Sequence, residues 1–307
     1  MSSINRLQSI TSHMVSTTLQ SATNTLNGKQ LTKPIISFIG GGNMAEAILC
    51  GLQSSGHPSK HLRYSEPFEQ RRQYMQSKYP EMVGSDNNQE IVEDANVVIL
   101  AVKPQVLRSV VSDLKLKADT LIVSIAAGIT TADIYKWMNT TDPAAIVRCM
   151  PNTPALVGEG AVGLFATDAV NEDQRSMTEE IMKAVAKQVS WVEDESLIDT
   201  VTGISGSGPA YFFLIMEAMQ NAGIEAGLSS EDAKALTLQT CIGAARMALT
   251  SEDDLATLRR KVTSPKGTTE AAINSMESNN IRKLMAEAVF SAQDRGRELA
   301  EQLGKEL

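Results

Sequence analysis

Gly40-Gly41-Gly42-Asn43-Met44-Ala45 follows a short apolar run, Ile35-Ile36-Ser37-Phe38-Ile39, and opens a helical pattern. The spacing G-x-G-x-x-A suits a bound pyrophosphate. Gly40 allows the tight turn, Gly42 lets the phosphates approach the backbone, and the small Ala45 keeps helix against strand. The helix start offers free N–H groups and partial positive charge to phosphate oxygens. Glycine-rich turns also serve purely structural ends, so the motif takes its meaning from context: after a strand, before a helix, at the head of an alternating domain. Glu66 stands about 24 residues beyond Gly42, near the distance expected for a carboxylate on ribose hydroxyls. Such a carboxylate favours NADH, whereas Ser65, Arg71 and Arg72 could hold a 2′-phosphate, so NADPH and NADH both stay open.

A second constellation lies far downstream. Ser264-Pro265-Lys266-Gly267-Thr268 reads as a turn running into a helix start, which binds a carboxylate without an arginine. Thr268 acting only as the cap of its own helix is compatible with the same pattern. His13, His57 and His61 are the only histidines, so chemistry in the C-terminal two thirds must proceed without imidazole. Cys50, Cys149 and Cys241 have no metal-ligand spacing and are expected to be reduced, buried small hydrophobes. No metal is expected.

The elements that must position these groups alternate. Apolar strands are expected at 35–39, near 62–65, and at 97–102, 121–125 and 145–148, with helices at 43–53, 106–114 and 131–138 between them. This is a doubly wound α/β domain. Beyond about residue 195 only helical periodicity remains. The stretch 209–223 is apolar around most of its circumference and should be buried. The stretch 230–249 opens with Ser229 and Asp232 as a capping box, and a last helix carries Ile281, Leu284, Ala288 and Leu299. The division expected is a polar, disordered extension over 1–33, a Rossmann-like dinucleotide-binding domain over 34–195, and a helical domain over 196–307. Its Gly/Ala faces suggest completion by a second chain.

Composition narrows the class. A hydrophobic fraction of 42% and a charged fraction of 21% are those of a globular protein. The net charge of −8 argues against nucleic acid as a partner. No apolar run reaches the roughly 20 residues of a membrane span. The Ser-rich, acid-free start resembles a mitochondrial transit peptide, but only Arg6 precedes Lys29, where such peptides are arginine-rich. A cytoplasmic location is expected, with the mitochondrion as the alternative.

Five separated segments, in order, are specific. They are Ala101-Val102-Lys103-Pro104, Ser124-Ile125-Ala126-Ala127-Gly128, Arg148-Cys149-Met150-Pro151-Asn152-Thr153-Pro154, Gly203-Ile204-Ser205-Gly206-Ser207-Gly208-Pro209 and Val262-Thr263-Ser264-Pro265-Lys266-Gly267-Thr268-Thr269-Glu270. Over residues 35–300 the chain resembles the pyrroline-5-carboxylate reductases, oxidoreductases of the last step of proline biosynthesis. The resemblance implies reduction of the cyclic imine 1-pyrroline-5-carboxylate by NADPH or NADH. It places the pyrophosphate on Gly42, Asn43 and Met44, the adenosine part near Asn88, and the nicotinamide near Ala101, Lys103, Ala126 and Ala127. It puts the substrate carboxylate on backbone amides of Lys266, Gly267, Thr268 and Thr269, with the Thr269 hydroxyl near the ring nitrogen as the catalytic group. It also implies an interlocked homodimer that can assemble into a decamer. Two positions depart from the family. Lys266 replaces a usual glycine, so a positive φ there would strain it, or its ammonium could assist the carboxylate. Asp253-Asp254 follows Glu252 where His-Pro is usual, which weakens the case for Glu252 at the substrate. A β-hydroxyacid dehydrogenase would need a catalytic lysine, for which Lys183, Lys187 and Lys234 offer only helix-surface positions. A cofactor sensor without turnover would need no carboxylate site.

Overall fold

The structure, a computed structural model, describes residues 33–306; apart from its last position, the extension expected over 1–33 lies outside them. The first half alternates as expected: β1 Ile36–Ile39, α1 Asn43–Ser54, β2 Leu62–Ser65, α2 Glu69–Lys78, β3 Val83–Ser85, α3 Asn88–Val92, β4 Val97–Leu100, α4 Pro104–Asp113, β5 Leu121–Ser124, α5 Thr131–Trp137 and β6 Ile146–Met150. Then follow β7 Gly160–Ala166, α6 Glu172–Lys183 and β8 Ala186–Trp191. The eight strands form one sheet in the order β3-β2-β1-β4-β5-β6-β7-β8. Pairings among β1 to β6 are parallel, β7 runs antiparallel to β6, and β8 is parallel to β7.

Each central strand is apolar on both sides because helices cover both faces. Ile36, Phe38, Val97, Ile99, Leu121 and Val123 pack into one core with Ile48, Leu49 and Leu52 of α1 and Met182 of α6. Their neighbours Ile39, Val98, Leu100 and Ile122 point the other way, into a core with Leu107 of α4 and Ile134 and Trp137 of α5. Strand order reverses between β1 and β4, so the crevice at their carboxyl ends is the topological switch point where this fold binds ligands.

The remainder is helical: α7 Leu197–Val201, a π-helical turn Thr202–Gly206, α8 Gly208–Glu225, α9 Ser230–Thr250, α10 Leu255–Lys261, α11 Thr268–Ser278 and α12 Ile281–Glu306. The Ser229 hydroxyl accepts from the Asp232 N–H at 3.0 Å and caps α9, but the Asp232 carboxylate accepts from that hydroxyl at 2.7 Å and not from the Ser229 N–H, so the expected capping box forms only in half. Three strands, β3, β7 and β8, were not among those expected, Cys50 and Cys241 are half-buried where burial was expected, and one further expectation fails in the helical half. The apolar helix α8 is not buried, since Phe212, Phe213 and Leu214 are 58%, 64% and 66% exposed. Its apolar girdle is wider than α9, with which it pairs, can cover.

Candidate active site

Gly40 follows β1 with φ +104, and a Cβ there would lie 2.8 Å from the Ala101 carbonyl oxygen. The close approach joins the ends of β1 and β4 at the switch point. Two residues on, a Cβ at Gly42 would meet nothing within 4 Å. Gly42 is the N-cap of α1, and without a side chain it makes no cap hydrogen bond. The first helical amide bond runs from Glu46 to the Gly42 carbonyl, so the N–H groups of Asn43, Met44 and Ala45 lie ahead of the helical ladder. This open cradle of donors fits a dinucleotide pyrophosphate.

The other residues the sequence analysis named for the cofactor fall at strand ends and helix starts of the same half. Ala101 donates its N–H to the Ile39 carbonyl at 2.9 Å, and Lys103 is the N-cap of α4. Ala126 is buried, its N–H 3.3 Å from the Ser124 hydroxyl, and Ala127 beside it is exposed. Asn88 is the first residue of α3, capped by the Asn87 side chain. Ser65 is fully buried at the end of β2, its hydroxyl donating to the Phe38 carbonyl at 3.5 Å. The Glu66 carboxylate, also buried, accepts from the N–H of Gly41 at 3.1 Å and of Phe68 at 3.0 Å.

Beneath the loop, Glu46 on α1 accepts from Arg71 at 2.6 Å, Lys78 at 2.8 Å and Tyr79 at 3.0 Å. Burial alone would raise its pKa, but hydrogen bonds from Lys78, Arg71 and Tyr79 outweigh this and hold it down at about 2. Arg71 also donates to the Gly41 carbonyl at 2.7 Å, tying this ion cluster to the phosphate loop.

The second constellation repeats the first device. Gly267 is the N-cap of α11, again without a side-chain cap. The Thr268 hydroxyl does not cap the helix, because Thr268 is its first residue rather than its cap. Thr268, Thr269 and Glu270 therefore supply the amides ahead of the ladder, whose first bond runs from Ala271 to Gly267. The Gly267 N–H closes the turn on the Ser264 carbonyl at 3.0 Å, and the Lys266 N–H donates to Glu270 at 2.7 Å. Lys266 has φ +59, the left-handed conformation that the missing glycine would adopt freely. By contrast α3, α5, α6, α9 and α10 are each closed by their own Asn, Thr, Ser or Asp cap, and α2, α4, α7 and α8, which also lack a side-chain cap bond, are led by Phe68, Lys103, Ser196 and Ser207 rather than by glycine. Asp254 is the cap of α10 and Asp253 pairs with Lys261, so the acidic pair after Glu252 has local structural partners; Glu252 itself is exposed.

A network absent from the sequence analysis holds the sheet to the helical half. Arg148 on β6, 4% exposed, reaches Glu195 at 3.4 Å and Asp199 of α7 at 3.3 Å. Glu195 also accepts from the N–H and hydroxyl of Thr131, both at 2.8 Å, where α5 begins beyond Ala126 and Ala127. Asn152 donates to the Ser205 carbonyl in the π-helical turn at 3.0 Å and accepts from the Ala161 N–H at 2.9 Å. The available signal was one arginine inside an apolar strand run. Cys149, on the same strand, is buried and burial pushes its thiol pKa up, which leaves it unreactive.

Residues 195–299 match the family described as pyrroline-5-carboxylate reductase dimerisation, and residues 35–128 the family described as NADP oxidoreductase, coenzyme F420-dependent. A pyrroline-5-carboxylate reductase of Pseudomonas aeruginosa is 48% identical over 277 residues, 90% of this chain and 100% of its own. The structure of a pyrroline-5-carboxylate reductase from Coxiella burnetii superposes with a TM-score of 0.79 at 42% identity, over 87% of this chain and 99% of that one. A Plasmodium falciparum pyrroline carboxylate reductase with NADP bound gives 0.77 at 28% identity, over 88% and 99%.

Proposed function

The chain belongs to the pyrroline-5-carboxylate reductase family, and from that premise we infer that it reduces 1-pyrroline-5-carboxylate to L-proline with NAD(P)H, the last step of proline biosynthesis. The observation that carries this reading is the pair of glycine-led, side-chain-free helix starts at Gly42 and Gly267. One suits the cofactor pyrophosphate and the other the substrate carboxylate.

When bound, the reduced nicotinamide supplies the hydride that the imine carbon accepts. This chain's residues do the rest. Gly40, Gly42, Asn43 and Met44 hold the pyrophosphate, Ser65, Glu66 and Asn88 line the adenosine end, and Ala101, Lys103, Ala126 and Ala127 line the nicotinamide end. Residues 34–195 form the cofactor half, and 196–307 the substrate and dimerisation half. In the latter the amides of Thr268 and Thr269 pin the carboxylate; those of Lys266 and Gly267, also expected there, are taken by Glu270 and the Ser264 carbonyl, with Ser264 closing the turn and Glu252 at the periphery. The imine nitrogen is basic enough to carry its proton near neutrality, so no strong acid is required. The Thr269 hydroxyl donates to that nitrogen or orders a water toward it. Positioning supplies most of the acceleration.

Among the described residues no hydrogen bond links the 264–269 turn to the cofactor cradle. We take a second copy to complete the site, in a homodimer that can extend to a decamer. The three free cysteines suit a reducing compartment, which we take to be the cytoplasm; mitochondrial recovery of the tagged full-length chain would overturn that choice. Among the described residues no helix is long and apolar enough to cross a membrane. The test of function is an assay of the purified chain with pyrroline-5-carboxylate and either cofactor. Formation of L-proline with oxidation of NADH or NADPH is expected, and no turnover with either contradicts the reading.

A further inference from the structure

We propose that Glu66 makes this chain select the cofactor that lacks a 2′-phosphate, NADH over NADPH. The proposal rests on the reading that the Gly40–Met44 loop holds a dinucleotide. Glu66 directly follows β2, where the adenosine ribose comes to lie in this fold. Its carboxylate is buried and fixed, with Oε2 on the Gly41 N–H at 3.1 Å and Oε1 on the Phe68 N–H at 3.0 Å. One amide on each oxygen leaves a lone pair on each for a further donor. The ribose 2′- and 3′-hydroxyls are such donors. A 2′-phosphate is an acceptor of the same sign of charge, and setting it against this carboxylate is strongly unfavourable.

The groups that could offset that repulsion are already engaged. Arg71 donates to the Gly41 carbonyl at 2.7 Å and pairs with Glu46 at 2.6 Å. Lys78 pairs with the same Glu46 at 2.8 Å. Arg72 donates to the Glu66 and Pro67 carbonyls at 2.7 and 3.3 Å and faces Asp86 at 3.5 Å. The Ser65 hydroxyl is turned into the sheet toward Phe38. Three cations thus face Glu46 and Asp86 while Glu66 takes backbone amides. The Arg72–Asp86 pair, the longest of these and the more exposed, is the contact most readily redirected to a phosphate once Glu66 is neutral.

Calorimetric titration of the full chain with ADP-ribose and with 2′-phospho-ADP-ribose reads this selectivity without turnover. Paired kcat/KM values for NADH and NADPH give a second measure. The wild-type chain is expected to bind ADP-ribose about tenfold tighter or better than its 2′-phosphate. Glu66→Ser is expected to move that ratio toward the phosphorylated ligand by about tenfold. Glu66→Gln, which keeps an oxygen for the Gly41 N–H, is expected to move it the same way by less and controls for damage to the loop. Equal or tighter wild-type binding of 2′-phospho-ADP-ribose, or a ratio unchanged in both variants, overturns the proposal. Binding of neither fragment, with no turnover of either cofactor, overturns the dinucleotide reading beneath it.

Discussion

Gly40 and Gly42 stand two residues apart and answer different needs. Gly40 has the positive φ and the carbonyl of Ala101 against it, whereas Gly42 borders open space. Gly40→Ala is therefore expected to cost about 1–3 kcal/mol in urea unfolding. Gly42→Val should leave the thermal midpoint within about 2 °C while weakening NAD(P)H binding about tenfold or more in a fluorescence titration; unaltered cofactor affinity would place the pyrophosphate elsewhere. Thr269→Ala is expected to lower kcat about a hundredfold with little change in cofactor affinity, and an unchanged rate would remove its role. At Lys266 the left-handed backbone costs about 1 kcal/mol, but glycine there would also free the unfolded chain. Lys266→Gly is thus expected to change stability by less than about 1 kcal/mol. If the ammonium assists the carboxylate, KM for the imine rises about threefold at low salt and hardly at all at high salt. These residues were legible in the sequence because turns and helix starts are local devices. Arg148, Glu195 and Asp199 were not, since their pairing spans 47 and 51 positions and exists only once β6 meets α7.

At the scale of elements, that ion network joins β6, α5 and α7. Breaking a buried pair strands the partner charge, so Arg148→Ala is expected to cost about 3 kcal/mol or more in urea unfolding; a neutral outcome would mean the network bears no strain of assembly. The Glu46 cluster makes a pH prediction. With its pKa lowered from 4.5 to about 2, Glu46 contributes stability that is full above about 4.5 and lost as pH falls through about 2. Glu46→Gln should therefore be about 2 kcal/mol less stable at pH 7, allowing for partial exposure, and the gap should close in acid. Element existence was readable wherever strands are buried on both faces, as for β1, β4, β5 and β6. It failed at β3, only three residues long, and at β8, an edge strand whose Lys187 and Gln188 face outward. It also failed at β7, where Gly160 and Gly163 dilute the apolar run.

For the whole molecule, the decisive feature is that the helical half leaves its apolar helices uncovered. Phe212 and Phe213 on α8, Ile242 and Met247 on α9, and Phe290 on α12 are all exposed within one chain. Read from sequence, α8 looked like a buried helix because hydrophobic periodicity reports that a face is covered and not by which chain. Sedimentation of the wild-type chain at micromolar concentration is expected to give at least a dimer. Phe213→Glu should shift it toward monomer and abolish turnover while ADP-ribose binding persists. A monomeric, active wild-type chain would contradict the completion of the site by a second copy. The most direct measurement is a crystal structure of the chain with oxidised cofactor and L-proline bound together. Phosphate oxygens are expected on the amides at Gly42, Asn43 and Met44, and the proline carboxylate on the amides that open α11, with Thr269 beside the ring nitrogen. A proline ring bound away from the segment that starts at Ser264 would contradict it.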